Sequence, residues 1–416
     1  MGAIARNRSG AVHMYEKARS KSDDIPVARE AAQASEQRAP VMTRAPEQGR
    51  KFPCTQCGAR LDFDPAARAL RCPYCGFAEL VDFSNDRVAE LDYAAYIQRL
   101  EHLRQQGRTG SEWQGQRQIR CGGCGAVVIM DRSVATASCP YCGTHLESPA
   151  EEVDQLLAPE GVVPFAVDKR QAIQLFEHWI GRRWFAPTGI KKMAALGQVQ
   201  GLYVPFWTFD AMTYSRYTGM RGDDYYVTET YTERDVSGNL VTRTRQVRKT
   251  RWTYVSGEVD HFFDDVLVCA SYSLPPWALT GLQPWSLEGL VNFQKQFLSG
   301  FRTERYTLTL PHGFRCARDI MDAEIRTLCC RDIGGDHQVL SSVDTRYVGV
   351  TFKYILLPVW VAGYRYHNKL YQFFVNGQTG KATGSRPYSW VKIVAFVLSL
   401  VALTGGLLGL LHWLMR

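Results

Sequence analysis

The chain has 416 residues, a formal net charge of +8, 45% hydrophobic residues and 22% charged residues. This composition is close to that of ordinary globular proteins, so the chain can bury a core, and disorder throughout is excluded. At about 100–200 residues per domain, the length predicts two or three folded units plus tails. The mild positive charge fits contact with an anionic surface, either lipid headgroups or nucleic acid, and does not choose between them.

Residues 1–50 are predicted to form a disordered basic arm. The first 51 residues contain ten Lys/Arg and six Asp/Glu, which accounts for half of the net charge, but almost no large apolar residues that could build a core. They also lack the apolar run of about 7–15 residues that a secretory signal needs. A weak amphipathic helix is the alternative for this segment.

Eight of the twelve cysteines fall into four CxxC pairs. The pairs are Cys54 with Cys57, Cys72 with Cys75, Cys121 with Cys124, and Cys139 with Cys142. Fourteen residues separate the inner cysteines of each set, and adding 67 to the positions of the first set gives the second. This regularity indicates an internal duplication.

The spacing has a physical cause in the coordination of zinc. Zn²⁺ binds four thiolates as a tetrahedron at about 2.3 Å, and each CxxC turn brings two sulfurs to one side of the ion. Modules of about 25 residues cannot fold by apolar burial alone, so the metal supplies the folding free energy. The sequence therefore predicts two tandem four-cysteine zinc ribbons, at residues 51–83 and 111–150, with one structural Zn²⁺ in each.

Other uses of these cysteines fit the sequence less well. Disulfides need an oxidising compartment, which no export signal supports, and a redox CxxC would precede a helix in a βαβ pattern that is absent. A catalytic zinc needs an open position, which four thiolates close. Iron bound as in rubredoxin stays open as an alternative. Cys269, Cys316, Cys329 and Cys330 share no such spacing and are predicted to be buried bystanders.

Residues 84–110 are predicted to form a helix that links the ribbons. An apolar stripe at helical spacing supports this helix. The stripe consists of Tyr93, Tyr96, Ile97, Leu100 and Leu103. We expect the stripe to pack against the ribbons; a partner-binding stripe is the alternative.

Residues 160–386 are predicted to form a β-rich α+β domain. Residues 168–184 read as an amphipathic helix capped by Asp168. Residues 286–297 and 318–330 also have a helical pattern. Strands are predicted at 200–220, 225–235, 240–254, 259–270, 343–358 and 359–375. Pro205 interrupts the first of these and predicts an edge or a bulge there. Asn376 to Gly380 predict the turn of a last hairpin.

The hairpin formed by residues 225–254 is strongly charged. Its return strand carries Arg243, Arg245, Arg248, Lys249 and Arg251. Glu229, Glu233 and Asp235 on the outgoing strand are placed to pair with them across the hairpin. One hypothesis is therefore a solvated hairpin with cross-strand ion pairs, and the other is a basic finger for lipid phosphates or nucleic acid.

The sequence offers little catalytic chemistry, and we expect a protein that is not an enzyme. The motifs GxxxxGK[ST], HExxH and GxSxG are absent from the chain. His261, Asp264 and Asp265 lie close in sequence, but adjacent acids on a strand point to opposite faces, so no metal site is expected there.

The segment from Ile393 to Leu411 has nineteen residues and no charge. At 1.5 Å per residue it reaches about 28 Å, close to the thickness of a bilayer core, so residues 391–413 are predicted to cross a membrane. Trp390 and Trp413 flank it as interfacial residues do. Arg386 and Lys392 precede the segment, whereas Arg416 alone follows it. This bias predicts a single-pass protein of the cytoplasmic membrane with the bulk of the chain in the cytosol; a buried core helix is the alternative.

Several motifs together resemble a group of bacterial zinc-ribbon membrane proteins. They are the two ribbons, Arg183 to Pro187, Tyr203 to Trp207, Asn376 to Gly380, and the terminal apolar helix. The resemblance covers residues 52–412, and members are often labelled TFIIB-type zinc-ribbon proteins or relatives of primosomal protein N′ (replication factor Y). The helicase label implies an ATPase, whose motor motifs this chain lacks. Other members look like partners of flotillin-like and phage-shock-A-like proteins, which implies an anchoring role in envelope stress.

Two functional hypotheses follow. The first is a membrane-anchored, non-enzymatic scaffold that presents a cytosolic protein-binding surface and contacts lipid through residues 391–413. The alternative is a membrane-tethered protein of replication or transcription that binds nucleic acid through the ribbons and the basic strand.

Overall fold

The structure is a computed structural model. It describes residues 52–83, 87–105, 116–121, 126–131, 137–141, 144–146, 151–152, 157–187, 199–234, 239–366 and 369–415. The described part is rich in β-structure, has five α-helices and ends in an apolar helix, which confirms the α+β class. The predicted basic arm, residues 1–50, lies outside the described residues.

Seventeen strands and five α-helices make up the described part. The strands are β1 (Asp62–Asp64), β2 (Ala69–Arg71), β3 (Ala78–Leu80), β4 (Leu91–Asp92), β5 (Gln116–Arg120), β6 (Val127–Asp131), β7 (Ala137–Ser138), β8 (His145–Leu146), β9 (Glu151–Glu152), β10 (Gly161–Val162), β11 (Gln200–Arg234), β12 (Leu240–Cys269), β13 (Val291–Asn292), β14 (Arg302–Glu304), β15 (His337–Tyr366), β16 (Lys369–Asn376) and β17 (Ala382–Gly384). The helices are α1 (Tyr93–Gln105), α2 (Lys169–Gly181), α3 (Pro276–Leu282), α4 (Leu310–Ile333) and α5 (Trp390–Leu414).

A large sheet is organised around the long strand β11. β11 pairs antiparallel with β12 over almost its whole length and with β15 as far as Gly222 opposite His337. Beyond that pair, β11 and β12 continue as a two-stranded hairpin whose last pair is Arg234 with Leu240. The strands predicted at 200–220 and 225–235 are therefore one strand, and so are those at 240–254 and 259–270.

The first residues of β11 are buried on both faces. Leu202 and Phe206 belong to one apolar cluster, whereas Tyr203 and Trp207 belong to another. Successive side chains of a strand point to opposite faces, so the two clusters cover opposite sides of the sheet. Burial on both sides explains why this segment is an unbroken apolar run rather than an alternating one.

The expectation that Pro205 marks an edge or a bulge was wrong, because β11 is central and the proline lies within a regular stretch. β11 pairs with β14 at Leu202 and Tyr203 and with β12 from Phe206 onward, so Pro205 lies where the partner on that side changes. Pro358 of β15 lies in the same way between the residues paired with β10 and those paired with β16. A residue without an N–H is tolerated where no ladder bond is required.

The helix α4 covers one face of the long strands. Its buried residues recur every three or four positions and form a single stripe. They are Leu310, Gly313, Ala317, Met321, Ile325, Cys329 and Ile333. Trp207 of β11 lies under the start of this helix, and its Nε1 donates a hydrogen bond to the carbonyl oxygen of Leu308 at 3.0 Å.

Two helix predictions need correction. The linking helix α1 was expected to pack against the ribbons; in the described part of the chain it packs on the central domain, where its Tyr93 lies 4.7 Å from Phe314 of α4 and its Tyr96 lies 5.2 Å from Phe352 of β15 between ring centroids. Residues 286–297 form two short 3₁₀ turns around β13 instead of a helix. By contrast, α2 is confirmed: Asp168 caps it through a complete capping box with Gln171.

Candidate metal centre

Four cysteine sulfurs of the first ribbon meet at one point. The Sγ atoms of Cys54 and Cys75 are 3.5 Å apart, those of Cys57 and Cys72 are 3.4 Å apart, and all four lie within 4.8 Å of one another. A tetrahedral zinc with bonds of about 2.3 Å needs sulfur–sulfur distances of about 3.8 Å. The cluster therefore has the donors and the size for one zinc ion, as the spacing predicted.

Two matching turns position the cysteines of this ribbon. The N–H of Cys54 donates to the carbonyl oxygen of Ala59, and that of Cys72 donates to Phe77 in the same way. Gly58 and Gly76, directly after the second cysteine of each pair, have φ angles of 69° and 76°. A residue with a Cβ is strained in this left-handed region, so glycine is the residue that allows each turn to close.

Hydrogen bonds within the cluster prepare it for a cation. A bond from the backbone N–H of Cys75 lowers the pKa of the Cys72 thiol to about 6. The Phe77 N–H acts in the same direction on Cys75, but partial desolvation of the sulfur and hydrogen bonds with the three neighbouring sulfurs raise the pKa of that thiol to about 12. Each thiolate that forms repels the negative charge of the next, so four thiols this close lose their protons one after another rather than together. A divalent ion at the centre compensates this negative charge and allows all four thiolates to form.

The first ribbon is attached to the central domain at its strand β1. The ring centroids of Phe63 and Phe297 lie 5.5 Å apart. The backbone N–H of Phe63 donates a hydrogen bond to the carbonyl oxygen of Ser299 at 3.0 Å. The hydroxyl of Ser299 donates in return to the carbonyl oxygen of Leu61 at 2.6 Å. The metal end of the ribbon is left at the surface: Cys57, Tyr74 and Cys75 are exposed.

The structure describes half of the second cysteine set. Cys121 and Cys139 are buried, as Cys54 and Cys72 are. Their N–H groups donate to the carbonyl oxygens five residues ahead, at Ala126 and Thr144, which repeats the hydrogen bonds of the first ribbon. Cys124 and Cys142, the other two predicted ligands, lie outside the described residues.

The second ribbon is held by a buried polar cluster that the sequence did not indicate. The Tyr141 hydroxyl donates a short hydrogen bond to the carboxylate of Glu304, which also accepts from the hydroxyls of Ser271 and Ser273. Gln372 donates from Nε2 to the carbonyl oxygen of Tyr141 at 3.0 Å. Strand β6 of the ribbon pairs with β14, so the ribbon joins the main sheet beside this cluster. The motif Pro140-Tyr141-Cys142 repeats Pro73-Tyr74-Cys75, but nothing in that repetition distinguishes the buried tyrosine from the exposed one.

Most cations of the basic strand are paired across the hairpin. Arg243 lies 2.7 Å from Glu233, while Arg245 and Lys249 lie 3.3 Å and 2.9 Å from Glu229. Arg248 lies 3.4 Å from Asp224, and the guanidinium of Arg251 lies 5.3 Å from the ring centroid of Tyr225. Asp235, a predicted partner, lies outside the described residues. These contacts agree with the hypothesis of a solvated hairpin that carries cross-strand ion pairs.

The side chains of Asp264 and Asp265 were expected to point to opposite faces of a strand, but they belong to one cluster of carboxylates. Carboxylate oxygens of Asp210, Asp264 and Asp265 lie within 4.8 Å of one another, whereas His261 is not part of this group. At a register shift between β11 and β12, Asp264 and Asp265 of β12 lie opposite Asp210 alone, and Asp265 has a φ of 52°; this irregularity brings the three carboxylates together. The ammonium of Lys353 lies 2.8 Å from Asp265 and 3.5 Å from Asp210, so the site already contains a cation. Although burial disfavours its charge, these carboxylates raise the pKa of Lys353.

The helix α5 is apolar on all sides and none of it is buried. It is the one helix in the described part that is long and apolar enough to cross a membrane. Its exposure argues against the alternative of a buried core helix. The finding fits a single-pass membrane protein.

Comparison with known proteins gives one distant relative. The chain is 28% identical over 261 residues to YdjG, an uncharacterized protein of Bacillus subtilis (strain 168), and the match covers 59% of this chain and 69% of YdjG. No known family matches the chain. No solved structure matches it either.

Replacing one ligand of the first cluster tests whether metal and fold are coupled. We expect Cys72→Ser to release one equivalent of metal and to unfold residues 52–83, because three thiolates hold the ion more weakly and a module this small depends on its metal to fold. Metal analysis of the purified full-length chain and hydrogen exchange over these residues measure both effects. Cys330→Ser, outside any cluster, is the control. Unchanged metal content in the Cys72 variant would contradict the assignment.

A second prediction concerns the buried carboxyl. Burial raises the pKa of Glu304 to about 7, whereas an unfolded glutamate titrates near about 4.3. Between these values the native state binds more protons than the unfolded state, so the free energy of unfolding falls as the pH rises through this window. We expect Glu304→Gln to remove this fall, of roughly 3 kcal/mol. Denaturation of the full-length chain in detergent between pH 5 and 8 measures it, with Glu258→Gln as control. An unaltered pH dependence would contradict it.

Proposed function

We propose that the protein is a non-enzymatic, membrane-anchored scaffold that uses its first zinc ribbon to bind another protein. The apolar helix α5 is its attachment to the cytoplasmic membrane, with the bulk of the chain in the cytosol. Both ribbons hold a zinc ion in this proposal. The cations of the first ribbon are partly compensated, since Arg60 lies 3.7 Å from Asp62 and Arg71 lies 3.5 Å from Asp64. This compensation favours a protein partner over a polyanion.

One observation carries the proposal: duplicated tyrosines in the two ribbons have opposite environments. Tyr141 is 0% exposed and donates its hydroxyl to Glu304, whereas Tyr74, at the same place in the first ribbon, is 83% exposed. Large exposed aromatic side chains are common at protein-binding surfaces, where they bury area at low entropic cost. The tyrosine and the CxxC turn around it form a knuckle, and the knuckle of the second ribbon docks on the central domain. The knuckle of the first ribbon leaves its tyrosine exposed among the residues that the structure describes.

The docked knuckle indicates the chemistry of the partner. In the second ribbon, the acceptor is a buried carboxylate that also accepts hydrogen bonds from two serine hydroxyls. We therefore expect the partner of Tyr74 to offer an acidic acceptor that is buried on binding. Flotillin-like and phage-shock-A-like proteins, which the family resemblance implies, are the first candidates.

Substitution of the exposed tyrosine tests the scaffold. We expect Tyr74→Ala to lower recovery of the partner by about 30-fold, as the loss of a central aromatic does, and Tyr74→Phe to lower it less. The measurement is quantitative recovery of flotillin-like and phage-shock-A-like proteins with full-length protein from detergent-solubilised membranes. Tyr226→Ala, an exposed tyrosine on the hairpin, is the matched control. Equal recovery by the wild-type protein and the Tyr74→Ala variant would refute this role.

The second zinc has its own test. Burial of Cys121 and Cys139 and the repeated hydrogen bonds of their turns support a second metal site. We expect two equivalents of zinc in the wild-type chain, one in Cys72→Ser or Cys121→Ser, and none in the double variant. Metal analysis of the four proteins under identical conditions gives the count. One equivalent in the wild type, retained in Cys121→Ser, would show that the second ribbon binds no metal.

The nucleic-acid hypothesis now has less support. Four of the five cations on the basic strand lie within 4.0 Å of a carboxylate, so that surface has little uncompensated charge. Salt-dependent binding of duplex DNA by the full-length chain, weakened by Arg243→Gln and Arg245→Gln, would restore this hypothesis.

A further inference from the structure

The segment after α2 lies directly on the start of the apolar helix α5. The N–H of Ser389 donates to the carbonyl oxygen of Phe185 at 2.7 Å, and Nζ of Lys392 donates to that of Ala186 at 2.7 Å. The ring of Phe396 lies 5.8 Å from Trp184 and 5.6 Å from Phe185 between centroids. These contacts fix the segment against the first two turns of the helix.

The position of Phe396 sets the depth of this segment. Phe396 lies three residues inside the charge-free stretch that begins at Ile393, which corresponds to about 4–5 Å along the helix axis. If α5 crosses the bilayer, Trp184 and Phe185 therefore lie at the boundary between acyl chains and headgroups. The side chain of Trp184 is 66% exposed, and those of Tyr388 and Trp390, near the start of α5, are exposed as well. Tryptophan and tyrosine are enriched at this boundary because their rings are amphipathic.

The charges around these aromatic residues have one sign. Residues 182–187 and 385–393 contain four cations and no acid. The cations are Arg182, Arg183, Arg386 and Lys392. Arg182 and Arg183 are exposed and directly precede Trp184. Guanidinium groups at this height match the phosphates of anionic lipids, which attract basic residues near a membrane surface.

We propose that residues 182–185 form an interfacial site for anionic phospholipid, with Trp184 and Phe185 at the acyl boundary and Arg182 and Arg183 on lipid phosphates. This inference rests on the proposed membrane anchoring by α5 and adds a second contact with the same bilayer. A helix alone leaves the domain free to tilt about its attachment, whereas two contacts fix which side of the domain faces the lipid.

Hydrogen exchange of the full-length protein in nanodiscs tests the site. One set of discs contains phosphatidylcholine alone, and the other contains phosphatidylcholine and phosphatidylglycerol in equal amounts. We expect exchange over residues 182–187 to be about tenfold slower in the anionic discs. The substitution of Arg182 and Arg183 together by Gln is expected to abolish this difference, and Trp184→Ala to reduce it. Trp277→Ala, which alters a partly exposed tryptophan outside this segment, is expected to leave it unchanged.

Two outcomes separate this inference from the anchoring on which it rests. Release of the full-length protein from membranes by alkaline carbonate would overturn the membrane anchor and the lipid site together. Retention in the membrane with equal exchange of residues 182–187 in both kinds of disc would overturn the lipid site alone. A lipid-dependent difference that persists in the double Gln variant would likewise refute the role of the two arginines.

Discussion

The attachment of both ribbons to one short segment of the central domain determines how the molecule is arranged. Phe297 and Ser299 hold the first ribbon through an aromatic contact and hydrogen bonds, and Glu304 holds the second through Tyr141. Between them, β14 pairs with β11 on one side and with β6 on the other. Each ribbon is therefore fixed relative to the longest strand of the sheet, although neither has a large core of its own.

Local features of the sequence predicted the first four-cysteine cluster and the apolar terminal helix well. Two cysteines three residues apart belong to one turn whatever surrounds them, and nineteen residues without a charge, most of them apolar, form a helix by length and composition alone. The long strands were divided at residues 221–224 and 255–258, whereas β11 and β12 pair without a break across both stretches. Pro205 was expected to mark an edge or a bulge, but a proline does so only where its N–H would be needed, and that depends on the neighbouring strand. The contact between Tyr141 and Glu304 could not be predicted, because it joins residues 163 positions apart.

The two ends of the long strands have different environments. The sheet is widest near the start of β11, where β14 and β15 flank this strand and where β10 and β16 pair with β15 on its far side. At the other end β11 and β12 continue beyond β15 as a hairpin with charged, exposed side chains. A two-stranded hairpin has little core, so cross-strand ion pairs and aromatic contacts such as Arg251 with Tyr225 are its main side-chain interactions.

The duplicated tyrosines, Tyr74 and Tyr141, differ in whether the fold requires them to be buried. A buried carboxyl is costly unless its oxygens accept hydrogen bonds, so the pocket of Glu304, Ser271 and Ser273 is stable only with the hydroxyl of Tyr141 in place. In the second ribbon, therefore, the fold itself requires the tyrosine to be buried. Within the described part of the chain, Tyr74 is 83% exposed, and the first ribbon is held through Phe63 at its opposite end. The described fold therefore does not require the ring of Tyr74 to be buried, and the proposed contact with a partner is argued from this exposure.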